Sequence, residues 1–157
     1  MYLELIAMDA ADLSQELSLE EVYRDEDLIE LEAVIATGDW HGRVRAYTVP
    51  QDVAAFAAAL QDFTNGTAAA AEFTTGADNG IGLIALRFYR IDRAGHIAGY
   101  ASLASGAVPT NHRPEQVARI AVEFRTETWA LTQFVAQLDE LAETQAGRAT
   151  LSITPQP

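Results

Sequence analysis

The sequence predicts an α+β fold: an antiparallel β-sheet with two amphipathic helices packed on one face. Three observations carry this. Residues 50–63 and 127–145 repeat apolar side chains with a period near 3.6, most other segments alternate or run apolar in short bursts, and the links between segments are short. Short links favour antiparallel neighbours. The 157 residues fit one domain, 1–157, and no repeat, low-complexity tract or linker divides them. Folding at that length buries roughly two-thirds of the extended-chain surface. Hydrophobic residues at 49% and charged residues at 21% belong to a chain that folds.

The N-terminal segment, 1–27, admits two readings. Ser18 to Glu21 has the form of a helix capping box, whereas 2–8 and 17–23 read as edge strands, the reading preferred here. Residues 28–36 and 43–49 flank Gly38, Asp39, Trp40, His41 and Gly42, a β-hairpin pattern. Pro50 then suits a helix's first turn, Asp52 its positive dipole end, and Val53, Phe56, Ala57, Leu60 and Phe63 form one stripe that ends near Asn65 and Gly66.

Residues 67–75 predict a strand despite four consecutive alanines. Residues 81–91 and 96–105, joined by Asp92, Arg93, Ala94 and Gly95, form the clearest hairpin pattern in the chain. After a loop bracketed by Pro109 and Pro114, Ile120, Val122 and Phe124 alternate with Arg119, Ala121, Glu123 and Arg125, predicting a strand with one wet face. The last helix follows, with Leu131, Phe134, Val135, Leu138, Leu141 and Ala142 on its stripe and Trp129 expected in the core. Thr126 or Thr128 is placed to cap its start, Gly147 to stop it, and residues 150–157 read as a tail.

Composition excludes several chemistries. Cysteine is absent, so disulfides, thiolate metal sites and thiol nucleophiles are out, and a reducing, cytoplasmic location is expected. The chain opens with no secretory leader, and no apolar run approaches the roughly 18 residues that span a bilayer, so no membrane association is expected. All ten basic residues are arginine. Without lysine there is no Walker-type phosphate loop, Schiff-base lysine or lysine general base. Arginine-only usage beside abundant alanine suggests a high-GC bacterial genome.

Charge is unevenly spread. Residues 1–40 hold twelve acids against one base, Arg24, and so carry eleven of the thirteen excess negative charges. Such a segment repels nucleic acid and steers a basic protein towards itself. Glu20, Glu21, Asp25 and Glu26 are the candidate contacts, with Trp40 in the first hairpin turn as a possible anchor. An acidic solvated surface is the plainer alternative.

The histidines, His41, His96 and His112, lie in or beside turns and never at metal-ligand spacing, so no metal or cofactor is expected. Because two helices cover one side of a sheet, Arg87, Tyr89, His96, Tyr100, Arg119, Glu123 and Arg125 are expected to share the open face. Arginine and tyrosine favour such contact sites.

The first helix with Phe56, Leu60 and Phe63, the strand 82–91, the turn Asp92 to Ile97 with its Gly95 and His96 step, and the last helix form a recognisable layout. Over about residues 39–143 it resembles a family of small bacterial proteins of unknown function, close to WapI-type immunity proteins. The resemblance implies an antidote that occludes a toxin surface and brings no catalytic residues with it. Together these readings lead to a non-enzymatic module that binds a basic protein. The alternatives are a small-ligand binder or enzyme using His96 with Arg87 or Arg119 on the open face, and a structural homodimer. Either a monomer or a homodimer is compatible with the sequence.

Overall fold

The structure is a computed structural model and describes residues 15–76, 81–106, 113–144 and 147–155. Alternation makes the strands. In β2 (Ile29–Thr37), Ile29, Leu31, Ala33 and Ile35 are buried, whereas Glu30, Glu32 and Val34 lie on the outer side. β1 (Glu16–Arg24) precedes it and β3 (Trp40–Thr48) follows across the two-residue turn at Gly38 and Asp39. α1 (Pro50–Thr64) and β4 (Ala70–Gly76) complete a first half. The second half repeats the order: β5 (Gly82–Arg90), β6 (Ile97–Ser105), β7 (Ala118–Thr126), α2 (Thr128–Glu143) and β8 (Arg148–Ser152), with a 3-10 turn, Pro114–Gln116, before β7.

The strands divide between two antiparallel four-stranded sheets, ordered β3-β2-β1-β8 and β4-β5-β6-β7. Each half therefore gives its last strand to the sheet of the other: β4 pairs with β5, and β8 pairs with β1. The halves agree in register, with Ile29 opposite Thr48 in one and Ile97 opposite Thr126 in the other. The helices agree as well. Val53, Phe56, Ala57, Leu60 and Phe63 are buried in α1, and Leu131, Phe134, Val135, Leu138 and Leu141 are buried at the same spacing in α2.

One core joins both sheets and both helices. Phe56 is at its centre, stacked on Phe73 with ring centroids 5.0 Å apart and meeting Phe134 edge-on at 6.4 Å. Burying a side chain of this size contributes roughly 1.5–3 kcal/mol. Close approaches are made where a side chain is missing. A Cβ at Gly82 would stand 2.1 Å from the Arg45 carbonyl oxygen, and one at Gly99 would stand 2.3 Å from the Phe124 ring.

The α+β class, the antiparallel pairing and both helices are as the sequence predicts, but the strands form two sheets where one was expected. Residues 150–157 do not form a simple tail, because Arg148–Ser152 is β8 and its Leu17–Leu151 and Leu19–Ala149 pairs are buried against β1. The alanine-rich strand starts at Ala70. Neither Thr126 nor Thr128 caps α2: its N-cap is Glu127, with no side-chain bond, and the Thr126 hydroxyl instead donates to the Ser152 carbonyl at 3.0 Å. Gly147 is packed against Leu141 and does not end the helix, which stops at Glu143. The segment 17–23 is strand. The expected strand at 2–8 and most of the loop after Pro109, with His112, lie outside the described residues.

Candidate functional site

The candidate contact residues fall in separate places. On the outer face of the first sheet, acids meet arginines: Arg45 Nε is 2.9 Å from Glu32 and its Nη1 3.5 Å from Glu30, while Arg148 lies 3.4 Å from Glu16. Glu20 stands on this face, opposite Glu32 and Arg148 in register, and is half-buried. Glu21 is a correction to the expected docking set. Only 6% of it is exposed, and its carboxylate binds Arg24 at 2.5 Å. It belongs to the interior, where an unpaired carboxylate is costly.

At the turn between β1 and β2 the surface changes character. Asp25 accepts backbone N–H groups from Asp27 and Leu28, each at 2.8 Å, and these bonds hold its carboxyl below the usual range. Glu26 and Asp27 are exposed beside it. In the adjoining row Tyr23 pairs with Glu30, and Glu30 pairs with Tyr47. Tyr23 is 54% exposed, and Leu28 and Tyr47 are each more than a third exposed. The Glu30 carboxylate, as hydrogen-bond partner and as charge, pushes the Tyr47 phenol above its ordinary value. Aromatic and acidic groups thus interleave on one rim.

Trp40 lies at the far end of β3 from Tyr47, beside the hairpin turn, and is 68% exposed. Seven residues of strand, roughly 23 Å, separate it from the rim. It does not join that cluster.

The second sheet presents the expected polar face. Arg87, Tyr89, Tyr100, Arg119, Glu123 and Arg125 alternate with buried or half-buried residues such as Phe88, Leu86 and Phe124. These groups bind one another. Arg87 meets Glu72 at 3.4 Å and lies over the Tyr89 ring, and the Tyr89 hydroxyl donates to Glu123. Burial, with the Glu123 bond second, pushes the Tyr89 phenol up to about 12. His96 is not on this face with them. It sits in the turn before β6, with Nδ1 2.6 Å from Asp92 Oδ2 and its backbone N–H also on Asp92. The His96 bond, first among its causes, holds Asp92 below the usual carboxylate range.

His96 instead lines a cleft of about 690 Å³ at the end of the second sheet, together with Arg125, Glu127 and Trp129. Trp129 is not a core residue. It is exposed, and its indole N–H donates to Glu127 at 2.5 Å. The repeat of the fold places this cleft where the other half has its acidic rim: His96 corresponds to Leu28, and Arg125 to Tyr47. No motif marks the cleft in the sequence, because Arg125, Glu127 and Trp129 straddle a strand end and a helix start; period two assigns Arg125 to the wet face and no more.

Among the described residues no three His, Asp or Glu side chains are placed to hold a metal ion, and no helix is long and apolar enough to cross a membrane. These features define an α+β protein built from two halves that exchange strands, with an acidic aromatic rim at one end and an arginine-lined cleft at the equivalent end. Comparison with protein-family models, curated proteins and solved structures finds no match to this chain.

Proposed function

We propose that the protein is a non-enzymatic binding module whose rim at the β1–β2 turn docks a cationic protein, in the manner of an immunity-type antidote that occludes a basic toxin. One observation carries this reading: Tyr23, Leu28 and Tyr47 are exposed in a row interleaved with Asp25, Glu26, Asp27 and Glu30. Exposed acids raise the encounter rate of a basic partner. Exposed aromatic rings beside them give that partner's arginine and lysine stems something to pack on and slow its departure. Acids on a merely solubilising surface have no need of exposed tyrosines.

Charge and apolar contact predict separable effects. In capture from a lysate of the source organism, a basic protein is retained at low salt and released as salt rises, because screening acts over about 8–10 Å. Tyr23→Ala with Tyr47→Ala, which leaves the net charge unchanged, abolishes retention. Glu26→Gln with Asp27→Asn slows association and flattens the salt dependence. Glu21 is kept intact throughout, since its loss disturbs the fold. Retention of the same proteins by the tyrosine variant contradicts the proposal.

A further inference from the structure

We infer that the cleft at the start of α2 is a binding site for a small aromatic carboxylic acid, independent of the rim. The cleft, about 690 Å³, has the size of an ordinary small-molecule site. Four ionisable groups belong to it or touch it: Asp92, His96, Arg125 and Glu127. Both acids are engaged. Asp92 is held by His96 through its ring and its backbone N–H, and Glu127 by the Trp129 indole. Arg125 is half-buried and has no carboxylate partner among the described residues. The Trp129 indole is neutral and leaves the Glu127 charge in place, so the cleft holds both signs, and its Arg125 guanidinium is the group that can pair with an anionic ligand.

The remaining lining gives the ligand its shape. Trp129 is 54% exposed, yet its hydrogen bond to Glu127 fixes the ring, so that it offers a flat apolar surface. Asp92 accepts from His96 Nδ1 and so orients the ring, whose Nε2 in this neutral tautomer accepts rather than donates. A carboxylate bound by Arg125, on a ring stacked against Trp129, satisfies both of these groups. The dipole of α2, whose first turn borders the cleft, favours the same sign of charge. The equivalent positions in the first half are Leu28 and Tyr47 for His96 and Arg125, and these offer an anion no cation.

The test uses Trp129 as its own reporter. In the full chain carrying Trp40→Phe, which leaves Trp129 as the sole tryptophan, 4-nitrobenzoate quenches the fluorescence saturably with a Kd that is roughly millimolar or tighter. The neutral 4-nitrobenzamide binds at least about tenfold more weakly, as does acetate, read by competition. Arg125→Gln raises the Kd for 4-nitrobenzoate about tenfold or more. Glu127→Gln does not weaken binding. The Arg125 variant keeps its fold, checked by circular dichroism, since only its backbone carbonyl joins the bridge to Thr154. Absence of saturation, equal binding of acid and amide, or an unchanged Kd in the folded Arg125→Gln variant each overturns the inference.

Discussion

Arg24 and Arg90 close each other's halves. Each ends the first strand of its own half, and each donates through Nη2 to a carbonyl at the C-terminal end of the opposite half's helix: Arg24 to Leu141 at 3.0 Å, Arg90 to Phe63 at 2.7 Å. Leu141 and Phe63 are equivalent positions on the two helix stripes. A cation at a helix C-terminus meets unsatisfied carbonyls and the negative end of the dipole. With the exchange of β4 and β8, these bonds lock the halves together.

The two arginines differ in what their loss leaves behind. Arg24→Met removes the ion pair that Arg24 makes with the buried Glu21 carboxylate and is expected to cost about 3–5 kcal/mol. Arg90→Met loses a helix-end bond and a stack on Phe63, where its guanidinium sits 4.3 Å from the ring centroid, and is expected to cost about 1–2 kcal/mol. Urea unfolding of both variants checks the order, and equal losses would contradict it.

Thr48 and Thr126 make a second equivalent pair with unequal chemistry. Both are buried strand ends, but the Thr126 hydroxyl reaches Ser152 whereas the Thr48 hydroxyl has no hydrogen-bond partner among the described residues. Thr48→Val removes an unsatisfied polar atom and should leave stability unchanged or raise it by about 1–2 kcal/mol. Thr126→Val should lower it by about 1 kcal/mol. Denaturation midpoints at constant slope decide, and a larger loss at Thr48 than at Thr126 refutes the assignment.

Alkaline pH should loosen the second sheet through Tyr89. Its folded-state pKa is raised to about 12 from an ordinary 10.0, so the folded protein holds the phenol proton more tightly than the unfolded chain does. The stability this contributes is complete below about 10 and is lost as pH rises towards about 12. Tyr89→Phe should remove that part of the pH dependence, measured as unfolding midpoints across the window. A variant curve parallel to that of the wild type would show that Tyr89 does not supply it.

Gly82 is one of the places where the two sheets come close. Adding a methyl group by Gly82→Ala drives it into the Arg45 carbonyl and the Val44 side chain, and is expected to cost about 1–3 kcal/mol as the strands move apart. Thermal unfolding measures this. A variant as stable as the wild type would mean that the sheets yield there freely.

The helices were legible because Phe56, Leu60, Phe134 and Leu138 hold a single period whatever the topology. The internal repeat was not. Only Phe56 with Phe134 and Leu60 with Leu138 keep the same residue along the two stripes, while Val53, Ala57 and Phe63 face Leu131, Val135 and Leu141 at their equivalents. A core preserves volume and pattern before identity. β8 escaped notice because a five-residue strand before two prolines carries little periodic signal, and its partner β1 is distant in sequence. Glu21 reads as surface charge in the sequence because its burial depends on Arg24 and on carbonyls at the C-terminal end of α2 that no local pattern reveals. The rim was half legible: the acids stood out by count, but the tyrosines joined them only through the pairing of β1, β2 and β3.

The most direct test of the docking surface is a backbone amide NMR titration of the whole chain with an oligo-arginine peptide at low salt. The proposed function predicts shift changes concentrated at residues 22–30 and around Tyr47, reversed by salt and lost in the Tyr23→Ala and Tyr47→Ala variant. Changes spread evenly over all acidic surfaces, or unaltered when both tyrosines are removed, would contradict a dedicated cation-docking rim.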